Sequence, residues 1–504
     1  VTAKTSLVHP DVVVLQQGGL VKPRSVYRIL GVEHLWAVHN NDLPTLVRGV
    51  MTRIMYVKGP GGAWVAPPEP AAGVFRRFRR VVRKLAQEVG DVTPMGVGEF
   101  PQHYRGRKRT IYEQAEISLT GLPVSKRDAI LSSFIKLEKI NFKEKADPDP
   151  RIINPRKPRY NVAVGRYLKV LEERVYKAID AQFRKLGGTN RSVAKTRNFE
   201  QRAWMLRCKW LTFRDPVAIP LDCSRWDQHV RREGLQLEHS LYNMLFQSPE
   251  LAELLTWQLS NRGFARARDG VLRWKIDGMR ASGDMNTAMG NVILVCVPLL
   301  HLRQTLEFRF EVADDGDDCV LICERGDVTA LRDAVVQLFT DMGHELKVSP
   351  PVDVFEQIKF CQTQPVFDGQ KWTMVRDPHT AIAKDLTTTH DLRDLKTYRW
   401  YVGTIGEAGQ HLAGGIPVWD SFYRRLESLG GGCGSMWTED AFTANSGFLI
   451  QSRKMNRVGR PITDAARVSF WRAFGIQPFQ QVLLEQQFGD AFEHGRVSRA
   501  PVLQ

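Results

Sequence analysis

Cysteine is scarce: seven in 504 residues, with no CxxC pair and no Cys/His spacing of the zinc-binding kind. That excludes a disulfide framework and a structural zinc module, and free thiols in a reducing compartment account for the seven. Long apolar runs are also missing. The longest, NVILVCVPLLHL at 291–302, falls well short of the ~20 residues a membrane span needs. No signal peptide is visible, and no GxxxxGK[ST] phosphate loop occurs, which disfavours a Walker-type NTPase. There is no internal repeat and no low-complexity tract. The chain begins with Val rather than Met, and the expectation is a downstream part of a longer translation product. Acidic residues are outnumbered, 55 Asp and Glu against 71 Lys and Arg, for a net charge of +16. A solvated basic surface accounts for such a total. Its distribution says more: residues 101–200 hold 23 Lys and Arg against 11 Asp and Glu. A surplus concentrated in one fifth of the chain points to an RNA or DNA channel.

A chain of this length that is 43% hydrophobic and 25% charged is globular and too long for one small core, so several subdomains are expected. Residues 1–80 mix short strand-like runs with Gly/Pro breaks, and GPGGAWVAPPEPAAG (59–73) reads as a loop or linker. VFRRFRRVVRKLAQEV (74–89) reads as a basic amphipathic helix that packs its Val, Phe and Leu side. Its other side is either solvated or in contact with nucleic acid. Two basic segments follow, YRGRKRTIY (104–112) and the stretch 136–169, with prolines at 148, 150, 155 and 158. Those prolines predict an extended, cation-studded segment rather than helix. Strands and helices alternate from about 215. The pattern after 385 is mostly helical, broken by the flexible loop LGGGCGS (429–435).

The chemistry concentrates in three places. PVAIPLDCSRWDQHV (216–230) is an apolar run that delivers Asp222 at its end, with Asp227 five residues on. Alone it is as well read as a solvated strand end. MRASGDMNTAMGNVILV (279–295) reads as a Ser282-Gly283 loop and then a helix from about Asp284, with Thr287 and Asn291 on one face. Alone it is as well read as an ordinary capped helix. FRFEVADDGDDCVLICE (309–325) is two strand-like runs around four aspartates and a glycine. Its carboxylates repel one another and require positive partners. A hairpin carrying Gly316-Asp317-Asp318 projects Asp317 beside Asp222 from a neighbouring strand. Two carboxylates so arranged suit two divalent ions ~3.5–4 Å apart, the device of in-line phosphoryl transfer. Mg²⁺ fits best, because it accepts carboxylates together with waters and phosphates.

Taken together, Asp222–Asp227, then Ser282-Gly283–Thr287–Asn291, then Gly316-Asp317-Asp318, resemble motifs A, B and C of viral RNA-dependent RNA polymerases. VHNNDL (38–43), GRKRTIYEQA (106–115), PRIINPRKPRYNVAVGRYLK (150–169), KFCQTQPV (359–366), MVRDPHTAIAKD (374–385) and SFWRAFGIQP (469–478) are similar to stretches of the tombusvirus-like group, which includes carmoviruses and umbraviruses. The resemblance runs from about residue 30 to near the C-terminus. One departure stands out: Asp314 and Asp315 precede Gly-Asp-Asp where the group's usual residues include Asn.

The resemblance implies an α+β right hand with an antiparallel-sheet palm, basic fingers and a helical thumb. Residues 1–100 would bridge fingers and thumb, 101–214 would form the fingers, and 215–235 with 275–366 the palm. The segment 236–274 would be a fingers insertion and 367–504 the thumb. Asp222 and Asp317 would be the main ligands of two Mg²⁺ (or Mn²⁺) ions, with Asp318 in support and the Cys223 carbonyl as a further ligand. Asp227, completed by Ser282, Gly283, Thr287 and Asn291, would accept a hydrogen bond from a ribose 2′-OH and select ribonucleotides. Arg151, or in second place Lys139 and Lys136, would meet the incoming triphosphate. Lys347 would sit near the leaving pyrophosphate. Cys361 and Gln362 would hold the growing 3′ end, unless their segment is an ordinary core strand. Tyr104, Arg105, Arg107, Lys108 and Arg159 would touch template RNA. The implied partners are single-stranded template RNA, nascent RNA and ribonucleoside triphosphates. With no membrane span of its own, the chain would need an upstream region or a viral auxiliary replication protein to reach membrane-associated replication complexes in the host cytoplasm. Two rival readings are weaker. Asp227 and the Ser282/Asn291 pair disfavour a reverse transcriptase or DNA polymerase. A catalytically silent RNA-binding replication factor is disfavoured because every expected acidic position is filled.

Overall fold

β-Branched and other apolar residues fill the runs Pro216–Cys223, Phe310–Asp314 and Asp318–Glu324, a composition suited to pleated backbone. In the computed structural model, which describes residues 1–29, 36–438 and 447–499, these three lie with Leu346–Val348 in one antiparallel sheet. The spatial order is Phe310–Asp314, Asp318–Glu324, Pro216–Cys223, Leu346–Val348. The hairpin register sets Asp314 opposite Cys319, and Asp222 lies between Asp318 on one flank and Lys347 on the other. Behind the sheet runs the helix Thr287–Thr305, buried almost without interruption from Met289 to Leu302. A helix apolar all round belongs inside a core. It packs with the helices Glu172–Lys185, Arg232–Phe246 and Val328–Asp341 in the largest apolar cluster. The apolar run 291–302 lies within it, and among the described residues no helix is long and apolar enough to cross a membrane.

Two further sheets flank this centre. One takes Val12–Gln16, Gly270–Asp277, Ser260–Ala267, Leu131–Ile135 and Ile152–Ile153 in that order. All its pairs are antiparallel except Ser260–Ala267 with Leu131–Ile135. The other is three-stranded, with Tyr27–Ile29 between Thr387–Thr388 and Val497–Arg499. The first 29 residues therefore give one strand to each of these two sheets. In the C-terminal part, Leu395–Ala413 and Trp419–Gly430 meet at glycines. A Cβ at Gly409 would stand 2.1 Å from the Tyr423 ring, so only glycine permits this approach.

Three sequence expectations need correction. The proline-bearing stretch 136–169 is not extended throughout: Pro158–Leu168 is an α-helix with Pro158 in its first turn. Proline belongs there, where its missing N–H costs nothing, and the other three prolines all precede the helix. The loop 59–73 contains a strand, Trp64–Val65, paired with Val57–Lys58. The helix expected from Asp284 starts at Thr287, and Asn286 rather than Ser282 stands at its cap position. Residues 30–35, 439–446 and 500–504, parts of the expected N-terminal extension and thumb, lie outside the described residues.

Candidate active site

The hairpin between Phe310–Asp314 and Asp318–Glu324 closes through the Asp315 N–H on the Asp318 carbonyl, 2.9 Å. Gly316 takes φ 102°, which a residue with a Cβ adopts only under strain. The aspartates around it are treated in four different ways. Asp314 is fully buried and accepts the Gly316 N–H at 3.1 Å. Burial pushes its carboxyl well above the usual range, beside the Cys296 thiol. Asp315 is ion-paired with Lys195 at 3.2 Å and Arg202 at 3.1 Å. Asp318 accepts the Cys361 N–H at 3.0 Å, and burial with neighbouring carboxylates raises it to about 6. Asp317 points into solvent, as does Asp222 at the end of the adjoining strand, and among the described residues neither carboxylate has a hydrogen bond or ion pair. Cations thus pair Asp315 and burial disfavours charge on Asp314, while Asp318 is held by a backbone N–H and Asp317 with Asp222 has no partner.

No group of three or more His, Cys, Asp or Glu among the described residues is assembled for a metal ion. What the turn offers is two unpartnered carboxylates on neighbouring strands, a donor set that fits a hard divalent cation sharing its shell with water and phosphate. The Cys223 thiol is buried, and burial and then Asp317 push it far up.

Asp227 lies on the one-turn helix Trp226–His229, and its backbone carbonyl accepts the Arg280 N–H at 3.0 Å. Burial raises its carboxyl to about 6, opposed by Arg280 and by a hydrogen bond to Asn291. Asn291 in turn accepts from Arg280 Nε at 3.0 Å, and Arg280 is fully buried against Glu238. Glu238 also accepts from Tyr242 at 2.7 Å and Asn286 at 2.6 Å. Gly290 makes room for this cluster: a Cβ there would stand 2.4 Å from Arg280 Nη2. Ser282 and Thr287 are engaged locally. Ser282 Oγ accepts the Asn154 N–H at 3.3 Å, and Thr287 Oγ1 donates to the Ala281 carbonyl at 2.9 Å. A Cβ on Gly283 would come within 2.5 Å of Pro155 Cα, so this loop lies directly against the strand that follows Arg151.

The expected cations separate into two groups. Arg151 and Lys136 reach toward the same Glu138 carboxylate, at 3.3 and 3.2 Å, and Arg151 is largely exposed. Lys347 is exposed in register with Asp222, and Arg105, Arg107 and Lys108 are exposed at the start of the helix Gly106–Gly121. Lys108 lies over the Tyr104 ring at 4.8 Å. Lys139 and Arg159 are not free. Lys139 Nζ donates to the carbonyls of Lys384 and Thr387 at 2.5 and 2.6 Å, and burial lowers it to about 7. It joins the segment after Leu131–Ile135 to the C-terminal part. The Arg159 guanidinium donates to Ser118 Oγ and to the carbonyls of Leu122 and Pro123, at 2.7, 2.6 and 3.0 Å. Every one of these acceptors belongs to the fold.

Cys361 and Gln362 both take positive φ, 51° and 59°. Asp318 holds the Cys361 N–H, and Cys361 Sγ lies 3.2 Å from Asp315. This strained corner is fastened to the acidic turn from two sides. It lines a cavity of ≈ 810 Å³ together with Lys136, Lys139, Arg202 and Arg376. Sequence reasoning missed Arg280, Glu238, Arg202 and Arg156, the last buried on Asp284 at 2.5 Å. Glu238 carried a signal: it falls on the buried stripe of its helix with Leu235, Leu241 and Tyr242. A charge in that position requires a partner.

A family model described as viral RNA dependent RNA polymerase matches residues 12–492. The RNA-directed RNA polymerase of Tobacco necrosis virus (strain A) is 40% identical over 480 residues, 95% of this chain and 65% of that protein. The RNA-directed RNA polymerase of Turnip crinkle virus is 39% identical over 473 residues, 93% of this chain and 60% of that protein. That of Maize chlorotic mottle virus is 40% identical over 471 residues, 93% of this chain and 48% of that protein. The chain thus spans between about half and two thirds of the length of these relatives.

Proposed function

The chain belongs to the viral RNA-dependent RNA polymerase family, in its tombusvirus-like group, and from that premise we propose that it replicates a positive-strand RNA genome by template-directed ribonucleotidyl transfer. The central sheet is the palm, the five-stranded sheet with the basic segments forms the fingers, and the helical C-terminal part is the thumb. In each cycle the 3′-hydroxyl oxygen of the nascent strand attacks the α-phosphorus of a ribonucleoside triphosphate. The bond to the pyrophosphate oxygen breaks, pyrophosphate departs, and the hydroxyl proton passes to solvent water. Asp222 and Asp317 would hold two divalent cations, Mg²⁺ or Mn²⁺, which neutralise charge on the attacking and leaving oxygens when bound. Asp318 anchors the Cys361–Gln362 corner, against which the 3′ end rests. Arg151 and Lys136 exchange Glu138 for the triphosphate, and Lys347 gives a proton to the departing pyrophosphate. Asp227, oriented by Asn291, accepts from the ribose 2′-OH. Arg105, Arg107 and Lys108 guide the template. The protein works at membrane-associated replication complexes in the host cytoplasm, brought there by a viral auxiliary replication protein.

One observation supports this reading most directly: in a turn whose other carboxylates are buried, ion-paired or hydrogen-bonded, Asp317 and its neighbour Asp222 are exposed and, among the described residues, unpartnered. The test is ribonucleotide incorporation on a single-stranded RNA template with Mg²⁺ and with Mn²⁺, beside Asp317→Ala. Template-dependent product that falls on the order of 10³-fold or more in the variant, with RNA binding retained, is the expected result. Equal incorporation by parent and variant would refute the assignment of Asp317. Tight RNA binding with no incorporation under either metal favours the silent binding factor.

A further inference from the structure

Within residues 76–84 lie Arg76, Arg77, Arg79, Arg80, Arg83 and Lys84. The segment folds as a 3₁₀ turn, Val74–Phe78, running into the helix Arg79–Val89. Val74, Phe78, Val81, Val82 and Leu85 are all at most 2% exposed and belong to the largest apolar cluster. The five arginines are exposed and Lys84 is half-buried. With about 3.6 residues per turn, the cations fall on one side and the apolar residues on the other.

Several arginines elsewhere in this protein have acidic partners, although others, such as Arg105 and Arg107, are exposed without one among the described residues. Arg48 lies on Asp147 and Asp149, Arg280 on Glu238, Arg376 on Asp385, and Arg457 on Glu200 and Asp368. In the stripe only Arg77 is ion-paired, to Asp341 at 3.6 Å, and among the described residues the other five cations form no ion pair. Like charges spaced along ~12 Å of helix repel one another unless a polyanion offsets them. The stripe is also remote from the acidic turn. The Phe78 ring meets His301 at 5.5 Å, and His301 lies ~15 Å along its helix from Asn291. No residue of the stripe lines the cavity beside Asp315.

We propose that this stripe is a second RNA-docking surface, which grips the phosphodiester backbone of RNA outside the catalytic channel. Guanidinium forks match phosphate oxygens two at a time, and five of the six cations are arginine. Anionic lipid headgroups share the phosphate chemistry. A helix that lies on a bilayer, however, sinks its apolar face into the acyl boundary, and here that face is already committed to the protein core. RNA asks only for the charged side. The inference stands apart from the polymerase reading, since docking is measured as binding and a chain unable to transfer nucleotides would display it equally.

The test uses the full chain and fluorescein-labelled single-stranded RNAs of ~40 and ~8 nucleotides, one longer than a strand-tracking groove occupies and one that fits within it. Anisotropy titrations over a salt series compare the parent with R76Q/R79Q/R80Q/R83Q and with the charge-keeping R76K/R79K/R80K/R83K. The Gln variant is expected to bind the long RNA about tenfold or more weakly, with a log–log salt slope shallower by about 0.7 for each phosphate that the protein no longer neutralises. The short RNA, and the Lys variant on both lengths, should bind as the parent does. Unchanged binding of the long RNA by the Gln variant overturns the proposal. So does equal weakening on both lengths, or a Lys variant as impaired as the Gln variant. Vesicles of phosphatidylcholine and phosphatidylserine form the second arm: if the Gln variant loses vesicle binding while keeping its RNA affinity, the surface faces lipid and the proposal falls.

Discussion

Asp314 and Asp317 carry the same side chain on either side of Gly316 and receive opposite treatment. Asp314 and Asp315 precede Gly316; burial pushes the first carboxyl well above the usual range, and Lys195 and Arg202 pair the second. Asp317 follows Gly316 and is left bare beside Asp222. Charge written in a sequence is therefore not charge delivered to a site; burial and partners decide which carboxylates count. Neutralising substitutions break the comparison most sharply. Asp317→Asn is expected to lower incorporation on the order of 10³-fold and to change folding stability by less than ~0.5 kcal/mol, as an exposed group without partners should. Asp314→Asn replaces a carboxyl in which burial already favours the proton, and should stay within ~10-fold of the parent in activity. Steady-state incorporation and urea denaturation on both variants check this pair of outcomes. Similar activity losses in the two would mean that the two positions are equivalent after all.

A second experiment separates the pairs that silence charge from those that decorate the surface. Arg202 is 8% exposed at its side chain and bonds Asp315, which also faces Asp318. Arg202→Met should cost about 3 kcal/mol, because an incompletely compensated carboxylate remains half-buried. Arg109, half exposed on Glu113 one turn away, is the control, and Arg109→Met should cost less than ~0.5 kcal/mol. Denaturant midpoints read both. An Arg202 penalty no larger than that of Arg109 would leave Asp315 silenced by Lys195 and solvent alone.

The strands, the inward helix and the acidic turn were legible because each is a local pattern: apolar runs ending at Asp222, a hairpin glycine, a helix apolar on every side. The pairing of Asp222 with the hairpin follows from strand adjacency, and the register supplies it. What silences Asp314 and Asp315 was not legible. Arg202 lies 113 positions from Asp315 in sequence, and no local pattern reports so distant a pairing. Lys139 and Arg159 looked like free cations within a basic stretch, yet their donors are spent on backbone carbonyls that only the tertiary fold brings near. Pro158 misled for a simpler reason. Proline opens a helix as readily as it ends one, and Pro158 opens Pro158–Leu168. Glu238 could have been found, since a lone acid on an apolar stripe implies a buried cation, but its partner Arg280 could not be identified from spacing.

Asp314 has a counterpart of opposite sign. His344 is 5% exposed and stacks on the Trp226 ring at 4.1 Å, with His229 at 6.1 Å; burial, then that second histidine, lowers it to about 3. For an acid held neutral by burial, the unfolded chain gives up its proton first as pH rises. The stability Asp314 contributes is therefore complete below ~3.9 and is lost above that. For a base held neutral, the unfolded chain takes up its proton first as pH falls. The contribution of His344 is complete above ~6.5 and is lost as pH descends from there toward its folded value. His344→Phe keeps the stacking on Trp226 and removes the titration. Between pH 7.5 and 5 the variant should lose roughly 1–2 kcal/mol less folding stability than the parent, the amount that ~1.5 pH steps below an unfolded histidine's pKa imply. Urea denaturation at the two pH values decides it: parallel losses in parent and variant would mean that His344 takes up its proton in the folded state as readily as in the unfolded chain, and that burial there does not hold it neutral.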